Sequence, residues 1–167
     1  MITRRTGWII AGVAAVLLVM AYRQLLTDPL VLSPSLDARE NWELARALAS
    51  GEPVSHPTYR AMLYQHLLSW LPDITGRVPL SAILLGMLLH TANSLLVGAI
   101  GRNLGLRPAS CLLAGILYAC YPLAQFMSVQ LLDITPAIFL FLLSIWVLTH
   151  PWKRSWLARS APALSGL

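Results

Sequence analysis

Carboxylates are the side chains of this sequence whose type and position could do chemistry. Six of the seven acidic residues lie between residues 27 and 77, where Asp37 and Glu40 stand three positions apart. A carboxylate held in place can accept the proton of an attacking hydroxyl and act as a general base. The same spacing also fits a helix N-cap with its capping box, which would explain both residues without chemistry.

Asp133 is a second candidate because it stands alone among apolar residues. It is the only residue with a formal charge between positions 108 and 152. An ionisable group within or at the rim of a bilayer is costly and is a functional candidate by default. On the residues alone, Asp133 either caps the helix that follows it or faces an active site.

Four other polar residues have structural interpretations. His56 and His66 lie ten positions apart in the same polar stretch. We interpret them as solvated loop histidines rather than as a metal pair, and we predict no metal site. His90 and Asn93 have helical i, i+3 spacing inside an apolar run, where we expect them to hydrogen-bond a neighbouring helix.

The composition indicates the class of protein that must position these residues. Of the 167 residues, 57% are hydrophobic and 11% are charged, whereas an average soluble domain has about 25% charged residues. The apolar content excludes intrinsic disorder, and two cysteines are too few for a small disulfide scaffold. We therefore predict an all-α polytopic membrane protein, since about four helices of roughly 20 apolar residues fit this length.

The apolar runs define the predicted organisation. The predicted spans cover approximately residues 7–26, 79–101, 109–127 and 131–150. The first also resembles a signal peptide, but its apolar run is long for one and no small-x-small cleavage site follows closely. Residues 27–77 form a polar loop with amphipathic helices predicted at about 37–50 and 58–71, which suit the membrane interface.

The distribution of charge predicts the orientation in the membrane. The N-terminus, the turn at 102–107 and the tail at 151–167 hold seven basic residues and no acidic one, whereas the 27–77 loop has a net charge of −2. By the positive-inside rule the first group is cytoplasmic and the loop is outside. Because the basic residues serve topology, the net charge of +5 leaves no basic face for nucleic acid.

Several short motifs occur in an order that resembles a known family. The helix that follows Asp37 ends in an A-x-G-x-P pattern at residues 49–53, and a Y-R-x-x-L-Y pattern follows at 59–64. A short basic turn at 102–106, the segment AGILYACYP at 114–122 and then Asp133 complete the order. Over residues 1–150 the sequence is similar to the N-terminal part of the GT-C membrane glycosyltransferases. It is closest to the protein-mannosyltransferase-like group, which comprises glycosyltransferase family 39 and bacterial relatives acting on lipid A or lipopolysaccharide.

The resemblance implies transfer of a sugar from a polyprenyl-phosphate carrier to an acceptor on the non-cytoplasmic face. It implies that Asp37 is the catalytic carboxylate, that Glu40 and Asp133 support it, and that Arg60 and Tyr64 bind the carrier phosphate. The implied partners are membrane lipids and the lipid-linked sugar, with no further cofactor. The implied location is a bacterial inner membrane, with both termini in the cytoplasm.

The sequence departs from the family pattern in two ways, and these departures leave other functions open. The family's P-L-Y-P segment reads Met62-Leu63-Tyr64-Gln65 here, without either proline. Family members also continue through many more spans, so we expect an N-terminal portion that is inactive alone, or one chain of a split enzyme whose partner chain supplies the missing spans. The alternative is a non-catalytic four-span assembly or adaptor protein. A transporter is weaker, since one rim carboxylate offers little polar pathway.

Overall fold

The structure, a computed structural model, describes residues 4–27, 36–53, 62–72, 74 and 80–150, and all regular elements of this part are helices. The all-α prediction is therefore confirmed for the described residues. The tail at 151–167 and the predicted helix start at 58–61 lie outside them. The helices are α1 (Arg4–Thr27), α2 (Leu36–Ser50), α3 (Leu63–Ser69), α4 (Leu80–Asn103), α5 (Pro108–Ala119), α6 (Pro122–Val129) and α7 (Ile134–Thr149).

Only α4, among the described residues, is by itself long and apolar enough to cross a membrane, with 24 residues and a mean hydropathy of 1.8. α5 and α6 qualify as a second candidate only if the pair is counted as one span, because the two are bent by 54° at their junction. The apolar stretch Gly7–Met20 and α7 are shorter. The described helices thus agree with membrane association, while the four predicted spans are not established by length and composition.

The predicted third span, 109–127, is divided into two helices. Tyr121 has an extended backbone, with φ −69° and ψ 110°, and Pro122 begins α6. A proline disfavours helical geometry in the residue before it and has no N–H to continue the helical ladder, so α5 ends at Ala119. Pro122 is well placed at the first position of α6, where that N–H is not needed. The fourth apolar helix begins at Ile134 rather than near 131.

α4 is the central helix and packs against α1, α5, α6 and α7. His90 is buried and its Nε2 donates a hydrogen bond of 3.3 Å to the carbonyl oxygen of Ala119. Asn93 is also buried, and its Nδ2 donates to Tyr118 Oη at 3.4 Å and to the carbonyl oxygen of Thr135 at 3.5 Å. The predicted hydrogen bonds to neighbouring helices are therefore confirmed.

A close approach of α4 to α6 depends on Gly86. A Cβ atom at this position would overlap with the backbone carbonyl oxygen of Ser128. We expect Gly86→Ala to destabilise the protein by about 1–3 kcal/mol, because a rigid backbone atom must move. Thermal unfolding in detergent would measure the loss. Gly12→Ala is the matched control, since no atom lies within 4 Å of its Cβ position; an equal loss in both variants would contradict the packing account.

α2 and α3 pack on each other and against the start of α4 and the segment between α6 and α7. Their shared core contains Ala38, Ala45, Leu68, Ile74 and Leu131 among other buried residues. α2 ends where the sequence predicts, at Gly51 with φ +71°. Glu52 N–H donates to the Ala47 carbonyl at 2.9 Å, which is the six-to-one bond of a Schellman C-cap. The two helices of the 27–77 loop thus form a cap on one end of the helical bundle.

Candidate functional site: an apolar groove

An apolar groove with a volume of about 390 Å³ lies between α3, α4 and α7. Its walls repeat at helical spacing, with Leu63 and Leu67 on α3 and Leu85 and Leu89 on α4. Residues four apart lie on one face of a helix, so each helix presents an apolar stripe to the groove. The described residues that line it are Leu63, Tyr64, Leu67, Leu85, Leu89, Asp133, Pro136, Ala137, Phe139 and Leu140.

Among the described residues, Asp133 is the only carboxylate on the groove wall. It occupies the N-cap position of α7 with φ −71° and ψ −11°, but its side chain makes no capping hydrogen bond. The N-terminal end of a helix favours a nearby negative charge. The sequence left two interpretations of Asp133 open, a helix cap or a residue that faces a site. In the structure Asp133 lies at the start of α7 and on the groove wall, and its side chain does not make the hydrogen bond of a cap.

Tyr64 lies beside Asp133 on the groove wall and is buried, with 9% of its surface exposed. Burial raises the pKa of the Tyr64 phenol above its ordinary value, and the negative charge of Asp133 raises it further. A phenolate would be poorly solvated there and repelled by the carboxylate. Tyr64 is therefore a neutral hydroxyl that can donate a hydrogen bond at the groove wall.

The raised pKa of Tyr64 predicts a loss of stability at alkaline pH. The phenol ionises near pH 10 in the unfolded chain but not in the folded one, so the unfolded state binds fewer protons above about pH 10. The contribution is fully present below that pH and is lost as the pH rises. We expect stability to fall less steeply with rising pH in Tyr64→Phe than in the parent protein. Unfolding midpoints measured at successive pH values would show this difference. An unchanged pH slope in Tyr64→Phe would contradict the assignment.

Asn41 and Gln65 form a buried polar contact that the sequence analysis missed. Asn41 Nδ2 donates to the carbonyl oxygen of Leu131 at 2.8 Å, and Gln65 Nε2 donates to Asn41 Oδ1 at 2.7 Å. Both residues are 0% exposed. A signal was present, because Asn41 shares a helix face with Ala38 and Ala45, and an amide on an otherwise apolar face needs a buried partner.

The sequence-predicted site residues are only partly brought together. Tyr64 and Asp133 share the groove, whereas Asp37 lies exposed in the first turn of α2 and Glu40 is half-buried on the same helix. Neither Asp37 nor Glu40 is on the groove wall. Asp37 lies in the first turn of α2, which begins at Leu36, and the capping-box interpretation stays a prediction. Arg60 lies outside the described residues.

Metal ligands do not gather in the part of the chain that the structure describes, where no three His, Cys, Asp or Glu side chains could share an ion. His66 is exposed on α3, and His56 lies outside the described residues. The groove is thus an apolar channel with a carboxylate and a neutral phenol on its wall. This arrangement can hold a hydrocarbon chain and offer one acceptor and one donor to a polar head.

No protein-family model, no curated protein and no solved structure matches this chain. The described residues define a helical protein. One of its helices is long and apolar enough to cross a membrane, and an apolar groove lies beside that helix.

Proposed function

We propose that this chain belongs to a GT-C membrane glycosyltransferase that takes its sugar from a polyprenyl-phosphate carrier. The observation that carries the proposal is the groove between α3, α4 and α7, with Tyr64 and Asp133 on its wall. An isoprenoid chain is apolar and long, so it fits such a groove with its head group near the polar residues. The order of the sequence motifs around Asp37, the 102–106 turn and Asp133 supports the same family.

In this proposal the chain is integral to a bacterial inner membrane. The spans are α1, α4, the bent pair of α5 and α6, and α7, with both termini in the cytoplasm. The cap formed by α2 and α3 then lies outside, where lipid-linked sugars are used. Further spans come from the rest of the enzyme or from a partner chain.

The proposed reaction assigns roles to the residues of the outer face. An acceptor hydroxyl attacks the anomeric carbon, the bond from that carbon to the phosphate oxygen breaks, and Asp37 accepts the hydroxyl proton. Arg60 and the Tyr64 hydroxyl bind the departing phosphate. Glu40 and Asp133 support the catalytic carboxylate. For Tyr64, the raised pKa supports the role, because only the protonated phenol can donate to phosphate.

The proposed topology is tested by labelling single cysteines from one side of the membrane. Cys111 and Cys120 are replaced by serine, and cysteine is then placed at Ser50 on α2 or at Leu104 in the turn, both of which are exposed. We expect an impermeant maleimide to label Ser50→Cys in intact cells and Leu104→Cys only after permeabilisation, as the distribution of basic residues requires. Labelling of both from the same side would contradict the proposal.

The proposed function is tested by deleting the gene in the native host. Membranes of the deletion strain are given polyprenyl-phosphate sugars one at a time, and consumption of each is measured. We expect one lipid-linked sugar to be consumed by parent membranes and not by deletion membranes. Unchanged consumption of every sugar would overturn the proposal.

A non-catalytic membrane adaptor is the second candidate function. Its specific support is the apolar surface of the cap, where Leu36 is 87%, Leu63 70% and Trp70 80% exposed. Exposed apolar residues of this size at the outer surface suit contact with another membrane protein. Asp37 would then act only on the stability of α2. The activity of Asp37→Asn separates the two candidates.

A further inference from the structure

We propose that Asn41 and Gln65 are positioning residues, which hold Tyr64 and Asp133 together on the groove wall. This proposal rests on the proposed function, in which Tyr64 binds the carrier phosphate and Asp133 supports the reaction. It concerns neither the carrier chain nor the catalytic step. It assigns the cap formed by α2 and α3 the task of holding the part of the groove wall that contains Tyr64 and Asp133.

The first step is the hydrogen bond from α2 to the segment between α6 and α7. Asn41 Nδ2 donates to the carbonyl oxygen of Leu131 at 2.8 Å, and Leu131 is two residues before Asp133. This segment lies between helices, so its buried backbone carbonyls have no helical donors and need partners from elsewhere. Asn41 supplies one such partner, and this bond fixes the backbone from which Asp133 projects.

The second step is the hydrogen bond from α3 back to the same amide. Gln65 Nε2 donates to Asn41 Oδ1 at 2.7 Å, and Gln65 is the neighbour of Tyr64 on α3. The rotation of this short helix decides whether Tyr64 faces the groove. Because Asn41 accepts from Gln65 and donates to Leu131, one amide fixes both segments relative to α2.

The contact between Asn41 and Gln65 lies in the interior of the protein. Both side chains are 0% exposed, and Gln65 Oε1 has no hydrogen-bond partner within the described structure. A buried amide oxygen without a partner costs stability, whereas an apolar side chain of similar shape would not. In this proposal the Nε2 bond of Gln65 sets the orientation of α3.

Trp42 supplies an internal comparison. Its Nε1 donates to the carbonyl oxygen of Ile74 at 2.8 Å, so it also fixes α2 to a non-helical backbone segment. That segment is not the one that carries Asp133. Loss of the Trp42 bond should weaken the cap without specifically moving Tyr64 or Asp133.

The experiment measures the distance across the groove in the full chain, without lipid-linked sugar. Nitroxide labels are placed at Leu63 on α3 and Ala137 on α7, which are exposed and lie on the groove wall, with Cys111 and Cys120 replaced by serine. Distances are measured by pulsed electron paramagnetic resonance in phosphatidylcholine nanodiscs. The variants are Asn41→Leu, which loses the donor to Leu131 and the acceptor for Gln65, and Gln65→Leu, with Trp42→Phe as the control.

We expect both Asn41→Leu and Gln65→Leu to broaden the distance distribution, while Trp42→Phe keeps the parent distribution. In these two variants the pKa of the Tyr64 phenol should be closer to its ordinary value of about 10. The titration of Tyr64 is obtained by subtracting the titration of the same variant with Tyr64→Phe added. Far-UV circular dichroism should stay at the parent value in all variants.

Three outcomes would overturn the proposal. Parent-like distances and an unchanged Tyr64 titration in both variants would show that the pair positions nothing. An equal broadening in Trp42→Phe would show general loosening of the cap. Loss of helical content in both variants would show a purely structural role. If the proposed transfer function fails but the distances respond as expected, the positioning role stands without it.

Discussion

Asp37→Asn is expected to abolish consumption of the lipid-linked sugar by native membranes while leaving the protein folded. Asparagine has the shape of aspartate but cannot accept the proton of the attacking hydroxyl. Loss of general-base catalysis lowers a rate by about 10²–10⁴-fold. The change also removes a negative charge from the first turn of α2, which costs at most about 1 kcal/mol. Replacement in the native gene and the consumption assay measure the effect.

Glu43→Gln is the matched control for Asp37→Asn. Glu43 is an exposed carboxylate on the same helix and pairs with Arg39 at 2.7 Å, so its loss removes one charge without touching the proposed reaction. We expect parent activity in this variant, because exposed ion pairs contribute little to stability. Parent activity in Asp37→Asn as well would contradict its catalytic role. If gene deletion abolishes consumption and Asp37→Asn does not, the adaptor function is favoured.

Ala137→Trp is expected to exclude the carrier chain from the groove. Ala137 lies on the α7 wall, and an indole there would fill space that the isoprenoid chain needs. Displacing about two buried methylenes would cost about 1.6 kcal/mol, which corresponds to a loss of more than about tenfold in affinity. A polyprenyl phosphate with a photoactivatable diazirine on its chain measures the effect as the yield of covalent labelling.

Leu148→Trp is the control for the groove variant. Leu148 is an exposed residue of the same helix and is not part of the groove wall. The same large side chain is therefore added to α7 at a distance from the proposed binding surface. We expect parent labelling in Leu148→Trp. Equal labelling of the parent and both variants would show that the carrier chain does not use the groove.

The helices could be predicted from the sequence where apolar periodicity and terminal signals agree. α2 was predicted at 37–50 and is observed at Leu36–Ser50, because Gly51 can adopt the left-handed conformation that ends a helix. The break before Pro122 was harder. The apolar run continues through it, so its length predicted one span over 109–127, whereas the local geometry of the proline divides that stretch into two helices.

The groove and its polar contacts could be predicted only in part. Asp133 was recognised because a lone carboxylate among apolar residues is costly. Its place on the same groove as Tyr64 comes from the arrangement of α3 and α7 around that groove, for which the sequence contains no local signal. The bond from Asn41 to Leu131 joins residues that are 90 positions apart. Such long-range pairs depend on how the helices pack, which local patterns do not determine.

The most direct test of the proposed carrier site is the position of the photolabel on the unmodified chain. The protein in nanodiscs is irradiated with diazirine-bearing polyprenyl phosphate, and the adducts are located by mass spectrometry. The proposal predicts adducts on the groove residues of α3, α4 and α7, which excess polyprenyl phosphate prevents and uncharged polyprenol does not. Adducts spread over the exposed apolar faces of α1 and α5, or equal competition by both lipids, would contradict it.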